Sequence, residues 1–188
     1  PLQHARLAHA NDRTGAAVAS LRALAEEHVL DLDAGLRVIE MLNRLGECEL
    51  AQGLVLKLQS RLDEPSVALM LAQAETFQLA GDVEDAVGVY QELTRTQTRM
   101  AYAHLGLARL RPTAVDPEEV ARLLSQTKPG SDAEVWLAHA AWRAYEARGD
   151  FTGASALLER ALKARRSQYN YDGRSVAPLF DALKASLP

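Results

Sequence analysis

Apolar positions return along this chain at the spacing of a helix face. Ala86, Tyr90 and Leu93 fall at i, i+4 and i+7, and Phe151, Ala154, Leu158 and Ala161 fall at i, i+3, i+7 and i+10. Each set lines one side of a 3.6-residue helix. Extended along the chain, the pattern and its breaks predict helices over 2–10, 14–28, 34–45, 47–61, 66–79, 83–96, 100–110, 117–126, 132–148, 151–167 and 175–187. Pro65 ahead of Ser66 marks one start, and Pro129-Gly130-Ser131-Asp132 marks a loop with Ser or Asp available to cap the next helix. Ser175 caps the last helix in this reading, with Pro178 tolerated in its first turn.

The breaks themselves repeat. Gly81-Asp82 is followed by Ala86, and Gly149-Asp150 by Ala154, two intervals of 34 residues further on. Gly46-Glu47 with Ala51, and Asn11-Asp12 with Ala16, keep the same phase. Val115-Asp116 with Val120 holds the register midway between Gly81 and Gly149, where Pro117 opens the helix and the glycine is lost. A Gly, or Asn at position 11, adopts the left-handed conformation that ends one helix, and the acidic residue after it suits the start of the next. The alanine five residues past each Gly keeps two helices close, and Phe77, Tyr90, Tyr145 and Phe151 are expected to fill the wider gaps. The chain therefore reads as helical hairpins over about 1–30, 31–64, 65–98, 99–130 and 131–168, with a closing helix at 174–188, in a single all-α domain.

Composition sharpens that reading. Hydrophobic residues make up 48% of the 188 positions, ample for a core, while aromatics make up only 5%. The Ala- and Leu-rich remainder suits closely packed helices and leaves almost no expectation of strand. A net charge of −4 without a dense Lys/Arg stripe argues against a nucleic-acid partner. No apolar run reaches the length of a membrane span, and no charged-then-apolar leader opens the chain. Cys48 is the only cysteine, so a disulfide framework and a cysteine zinc cage are excluded, and a cytoplasmic location is expected. The start at Pro1 and the stop at Pro188 read as a piece of something longer.

A helix, Gly-Asp, an aromatic or aliphatic residue and then Ala, returning every 34 residues, resembles the tetratricopeptide repeat. Gly81 to Leu93 and Gly149 to Leu162 carry the likeness best. The family's small residue in the first helix is matched by Ala74 and replaced by Trp142 in the last unit. The resemblance implies a right-handed α-solenoid of about five hairpins, with the first helix of each pair lining a concave groove. A narrower likeness covers Ala101 to Leu110, Trp142 to Asp150, and Arg165-Arg166 through Tyr171-Asp172. These resemble the repeat arm ahead of the catalytic domain in bacterial tetratricopeptide-sulfotransferase proteins. No Gly-rich phosphate loop occurs in this chain, so the likeness implies a non-catalytic arm beside a tethered transferase domain.

By the same resemblance the groove-facing positions are Arg37, Glu40, Asn43, Arg44, Glu75, Gln78, Tyr102, Arg109, Trp136, His139, Arg143 and Glu146. Tyr102, Arg109, Trp136 and Arg143 are the leading contacts, because aromatic and arginine side chains dominate interface hot spots. The bland alternative is a solvated helix face. Repeats that clamp chaperone tails use Lys and Asn where this chain offers Leu36 and Glu40, which disfavours that partner class. His4 with His9, and His104 with His139, lack the carboxylate or cysteine spacing of a metal site. Cys48 has no base partner in sequence and reads as structural. Arg165 and Arg166 suit the negative end of their own helix, with Tyr169 and Tyr171 packing under the closing helix, and the Glu26-Glu27 and Glu118-Glu119 pairs read as solvated. The functional expectation is a protein-interaction scaffold for a peptide, a partner protein or an adjoining domain, with no catalytic residue, metal or cofactor. The alternatives are the regulatory or substrate-presenting arm of a sulfotransferase-type transferase, and a homo-oligomerisation module whose uncapped end around Leu2 to Ala10 stacks on another copy.

Overall fold

The computed structural model describes residues 14–26, 30–64, 66–96 and 100–169, with the isolated positions Pro178, Ala182 and Lys184. Within them run α1 (Thr14–Glu26), α2 (Leu32–Arg44), α3 (Cys48–Gln59), α4 (Val67–Ala80), α5 (Val83–Thr96) and α6 (Ala101–Leu110). A short 3-10 turn (Pro112–Ala114) follows, then α7 (Pro117–Ser125), α8 (Asp132–Glu146) and α9 (Phe151–Ser167). The described residues contain no strand, as the composition implies. The periodicity places each of these helices to within about two residues, the usual fraying margin. The helix expected over 2–10, the Asn11-Asp12 turn, Pro65 and all of 175–187 but Pro178, Ala182 and Lys184, which are helical, lie outside the described residues.

Helices start where a short polar side chain meets the free N–H groups of a first turn. Asp31 accepts from Ala34 N at 2.7 Å, Ser131 from Glu134 N at 3.2 Å, and Asp150 from Gly153 N at 2.9 Å. Ser66 caps α4, and Asp116 caps α7 with Pro117 as its first residue.

Helix ends carry the repeat. Gly46, Gly81 and Gly149 have φ of 78°, 88° and 80°, the left-handed region that a side chain disfavours. In all three turns the glycine N–H donates to the carbonyl three residues back, and the next N–H donates to the carbonyl five back. For the second bond the acceptors are Leu42, Phe77 and Tyr145, at 2.9, 2.9 and 3.1 Å. The recurring Gly-acid signature is thus one backbone motif used three times.

These turns bring α2 onto α3, α4 onto α5 and α8 onto α9, and the intervening connections bring α3 onto α4 and α5 onto α6. Alternate helices also meet, α2 with α4 and α6 with α8. The stretch without a turn glycine is built differently. There α6 lies along α8, α7 also packs on α8, and the 3-10 turn touches both α6 and α8. Ala103, Gly106 and Ala108 on α6 and Ala138 and Ala141 on α8 are fully or nearly buried, which permits so close an approach.

Two apolar clusters form the core. Leu21, Ile39, Leu42, Val55 and Leu69 belong to the first, and Ala74, Tyr90, Leu93, Leu107, Leu124 and Ala141 to the second. Because α4 gives Leu69 to one and Ala74 to the other, it is the wall they share.

Some expected packing is not found. Ala86, Tyr90 and Leu93 are buried as a stripe, but Phe151 is 69% exposed although Ala154 and Ala161 of its own stripe are buried. As the first residue of α9 it projects past the turn, and Val83, at the matching place on α5, is exposed too. Tyr169 is also exposed. Trp142 occupies the place where α4 has Ala74, yet it is only half-buried. A ring of that size cannot enter a close helix contact, so Ala138 and Ala141 make it instead.

Candidate functional site

The alternate helices α2, α4, α6 and α8 carry all twelve residues expected to face a groove, and side-chain contacts link one helix to the next. Asn43 on α2 donates from Nδ2 to Thr76 Oγ1 on α4 at 2.9 Å, and Thr76 in turn donates to the Ala72 carbonyl at 2.8 Å. Asn43 Oδ1 is buried with no hydrogen-bond partner among the described residues. A cleft of ≈ 470 Å³ opens beside this pair, lined by Glu40, Asn43, Arg44, Glu75, Gln78, Leu79 and Tyr102. Six of these seven belong to the expected set. Leu79, 57% exposed, was legible only as one apolar residue among many.

Electrostatics within the cleft are partly self-satisfied. Arg44 pairs with Glu40 at 2.7 Å across one helical turn, with both side chains well exposed, so the pair contributes little stability. Glu75 meets the hydroxyl of Tyr102 on α6, which Arg109 also approaches. Burial and then the Glu75 carboxylate push the Tyr102 hydroxyl up to about 12, so it remains a neutral donor through the physiological range. Below it Tyr90 is buried, its hydroxyl 3.5 Å from Gln78 Oε1, and burial pushes its pKa up further still.

From Tyr102 the surface continues to α8. Its ring meets Trp136 edge-on, with centroids 5.2 Å apart and planes at 70°, a favoured aromatic geometry. One turn further along, His139 meets Trp142 at 5.8 Å, and the Arg143 guanidinium lies 5.5 Å from the centre of the same indole ring. Burial lowers the proton affinity of His139, and Arg109, Arg165 and Arg143 lower it further, in that order. The neutral imidazole is therefore the favoured form at pH 7.

Two expected members stand apart. Arg37 is exposed and donates from Nε to the Asp33 carbonyl of its own helix at 3.2 Å, and Glu146 is exposed at the last residue of α8. Two participants were missed. Trp142 looked like a packing substitution, and only the helix register turns it toward His139 and Arg143. Thr76 gave no sequence signal as the partner of Asn43.

Elsewhere the other singled-out residues take structural places. His104 is buried on α6, and Cys48 is half-buried at the start of α3. Arg165 bonds Gln168 at 2.9 Å and approaches Asp132 at 3.4 Å, and Glu119 approaches Arg122 at 3.4 Å. Among the described residues no group of three or more His, Cys, Asp or Glu is placed to hold a metal, and no helix is long and apolar enough to cross a membrane. No protein-family model, curated protein or solved structure matches the chain.

Proposed function

We propose that this chain is a protein-interaction scaffold of tetratricopeptide-repeat type, which receives a peptide, a partner protein or an adjoining domain on the face built by α2, α4, α6 and α8. The observation that carries this reading is the linkage of that face. Asn43–Thr76, the shared cleft and Tyr102–Trp136 join four helices into one surface of half-exposed polar and aromatic side chains. Preformed surfaces of this kind bind with little rearrangement, because their side chains are already positioned by neighbouring helices. The three equivalent glycine turns support the repeat architecture on which such a face depends.

A partner held by the purified chain is expected to be lost from Trp136→Ala and Arg143→Ala variants that melt as the parent does. Undiminished binding by both would remove this face from consideration.

A second reading, self-association, is favoured by one separate observation. Phe151 and Leu162 on α9, and Tyr169 just past its end, are 69%, 58% and 64% exposed, large apolar side chains open to a second surface. Light scattering over a concentration series tests it, with a monomeric mass throughout counting against it.

A further inference from the structure

The docking face is electrostatically polarised along its length. The cleft at its α2–α4 end is lined by Glu40 and Glu75, and Arg44, the cation among its lining residues, is already engaged by Glu40, while Arg37 stands outside the cleft on α2. Its α6–α8 end holds Arg109, His139 and Arg143, with Arg165 reaching toward it from α9. Among the described residues Arg109 and Arg143 enter no ion pair with a carboxylate. Arg109 is exposed and Arg143 half-exposed, so both remain open to an incoming group.

Two guanidinium groups without a carboxylate partner thus act on one imidazole in a chain whose net charge is −4. Guanidinium groups suit carboxylates because their planar forks can form two parallel hydrogen bonds. The neighbouring rings of Tyr102, Trp136 and Trp142 offer apolar area beside those forks. Glu75, on the α4 side of Tyr102, repels an acid from that side, which sets the direction in which an acidic segment can lie.

We propose that Arg109, His139 and Arg143, flanked by Tyr102, Trp136 and Trp142, bind a peptide segment through its Asp or Glu side chains, with an adjacent apolar residue against the rings. This assignment rests on the docking reading above and gives it a partner chemistry. Mutual repulsion among the cations is relieved when carboxylates enter, and protonation of His139 is then favoured. Acidic segments consequently bind more tightly as pH falls through the range of that imidazole. The charged groups that act on His139 are Arg109 on α6, Arg143 on its own helix and Arg165 on α9, and Glu75 meets Tyr102 instead.

The test is selection of random peptides displayed on phage against the folded chain, followed by anisotropy measurements on the selected sequences made as C-terminal amides. Selected peptides are expected to be enriched in Asp and Glu. They should bind at least about tenfold more weakly when those acids become Asn and Gln, weaken as salt rises, and lose about tenfold with Arg109→Gln/Arg143→Gln. Amidation removes the terminal carboxylate, so retained binding assigns recognition to side chains, and binding only by the free-acid peptides would overturn that assignment. Neutral or basic peptides that bind and are lost with Trp136→Ala would overturn the acidic preference while leaving the docking face intact. No enrichment, or binding indifferent to Trp136→Ala, would overturn the docking reading itself. The Arg variants change exposed or half-exposed side chains, and circular dichroism establishes that they keep their helices.

Discussion

Adding one methyl group at Gly106 tests the packing of the second core more sharply than any change at the surface. A Cβ at this position would stand 2.4 Å from Tyr90 Cε1, 2.4 Å from Cζ and 2.8 Å from Cε2. Carbon atoms in contact prefer roughly 3.5–4.0 Å, so the overlap exceeds about 1 Å on two atoms of one rigid ring and is at least about 0.7 Å on a third. Tyr90 is 1% exposed and has nowhere to retreat. Overpacking of this kind costs about 1–3 kcal/mol, and the rigidity of the ring points to the upper end. Against it stands the roughly 1 kcal/mol by which Ala outranks Gly inside a helix. The net expectation for Gly106→Ala is a loss of about 2 kcal/mol, read as a fall in Tm of about 4–8 °C for a chain this long.

Gly88 supplies the internal control. It lies on the exposed side of α5, and a Cβ there meets nothing within 4 Å. Gly88→Ala should therefore raise Tm by about 2–4 °C through helix propensity alone. Thermal melts by far-ultraviolet circular dichroism compare the three chains directly. A Gly106→Ala protein that melts at or above the parent would refute the Tyr90–Gly106 contact, and with it the packing of α5 on α6.

Two further outcomes concern charge. Glu134 is buried, accepts from Gly130 N at 2.7 Å and pairs with Arg160 at 2.8 Å. Burial opposes its ionisation, but the Gly130 N–H and Arg160 outweigh that and hold its carboxyl below its ordinary 4.5. Its contribution is therefore complete above that value and is lost as pH falls through the lower folded one. Glu134→Gln should cost about 1–2 kcal/mol at pH 7, less than a fully buried pair because Arg160 can rehydrate. The difference from the parent should shrink in melts taken below pH 4.5, and a pH-independent difference would contradict the assignment. His139 has the opposite chemistry, with its folded proton affinity below the ordinary 6.5. The unfolded chain takes up its proton first, so stability falls as pH drops below that value. Denaturant titrations at pH 7.5 and 5.5 should show a smaller acid loss in His139→Gln than in the parent, and an equal loss would sink the claim.

What the sequence by itself determined was local. A left-handed glycine turn needs only the residues within it, so Gly46, Gly81 and Gly149 announced their conformation directly, and caps such as Ser131 and Asp150 announced helix starts. Apolar spacing along one helix is equally local, which is why Ala86, Tyr90 and Leu93 were readable as a buried stripe. The groove-facing residues were named by the resemblance to a repeat family rather than by periodicity, and six of them line the cleft. Tertiary structure decided everything that depends on which helices meet. Nothing near Gly106 in the chain reveals that Tyr90 covers it, nothing near Trp142 that alanines take its place in the α6–α8 contact, and nothing near Phe151 that it stays exposed while Ala154 and Ala161 of its stripe are buried. Those outcomes turn on steric fit between residues far apart in sequence, where one ring or one missing methyl sets how closely two helices approach.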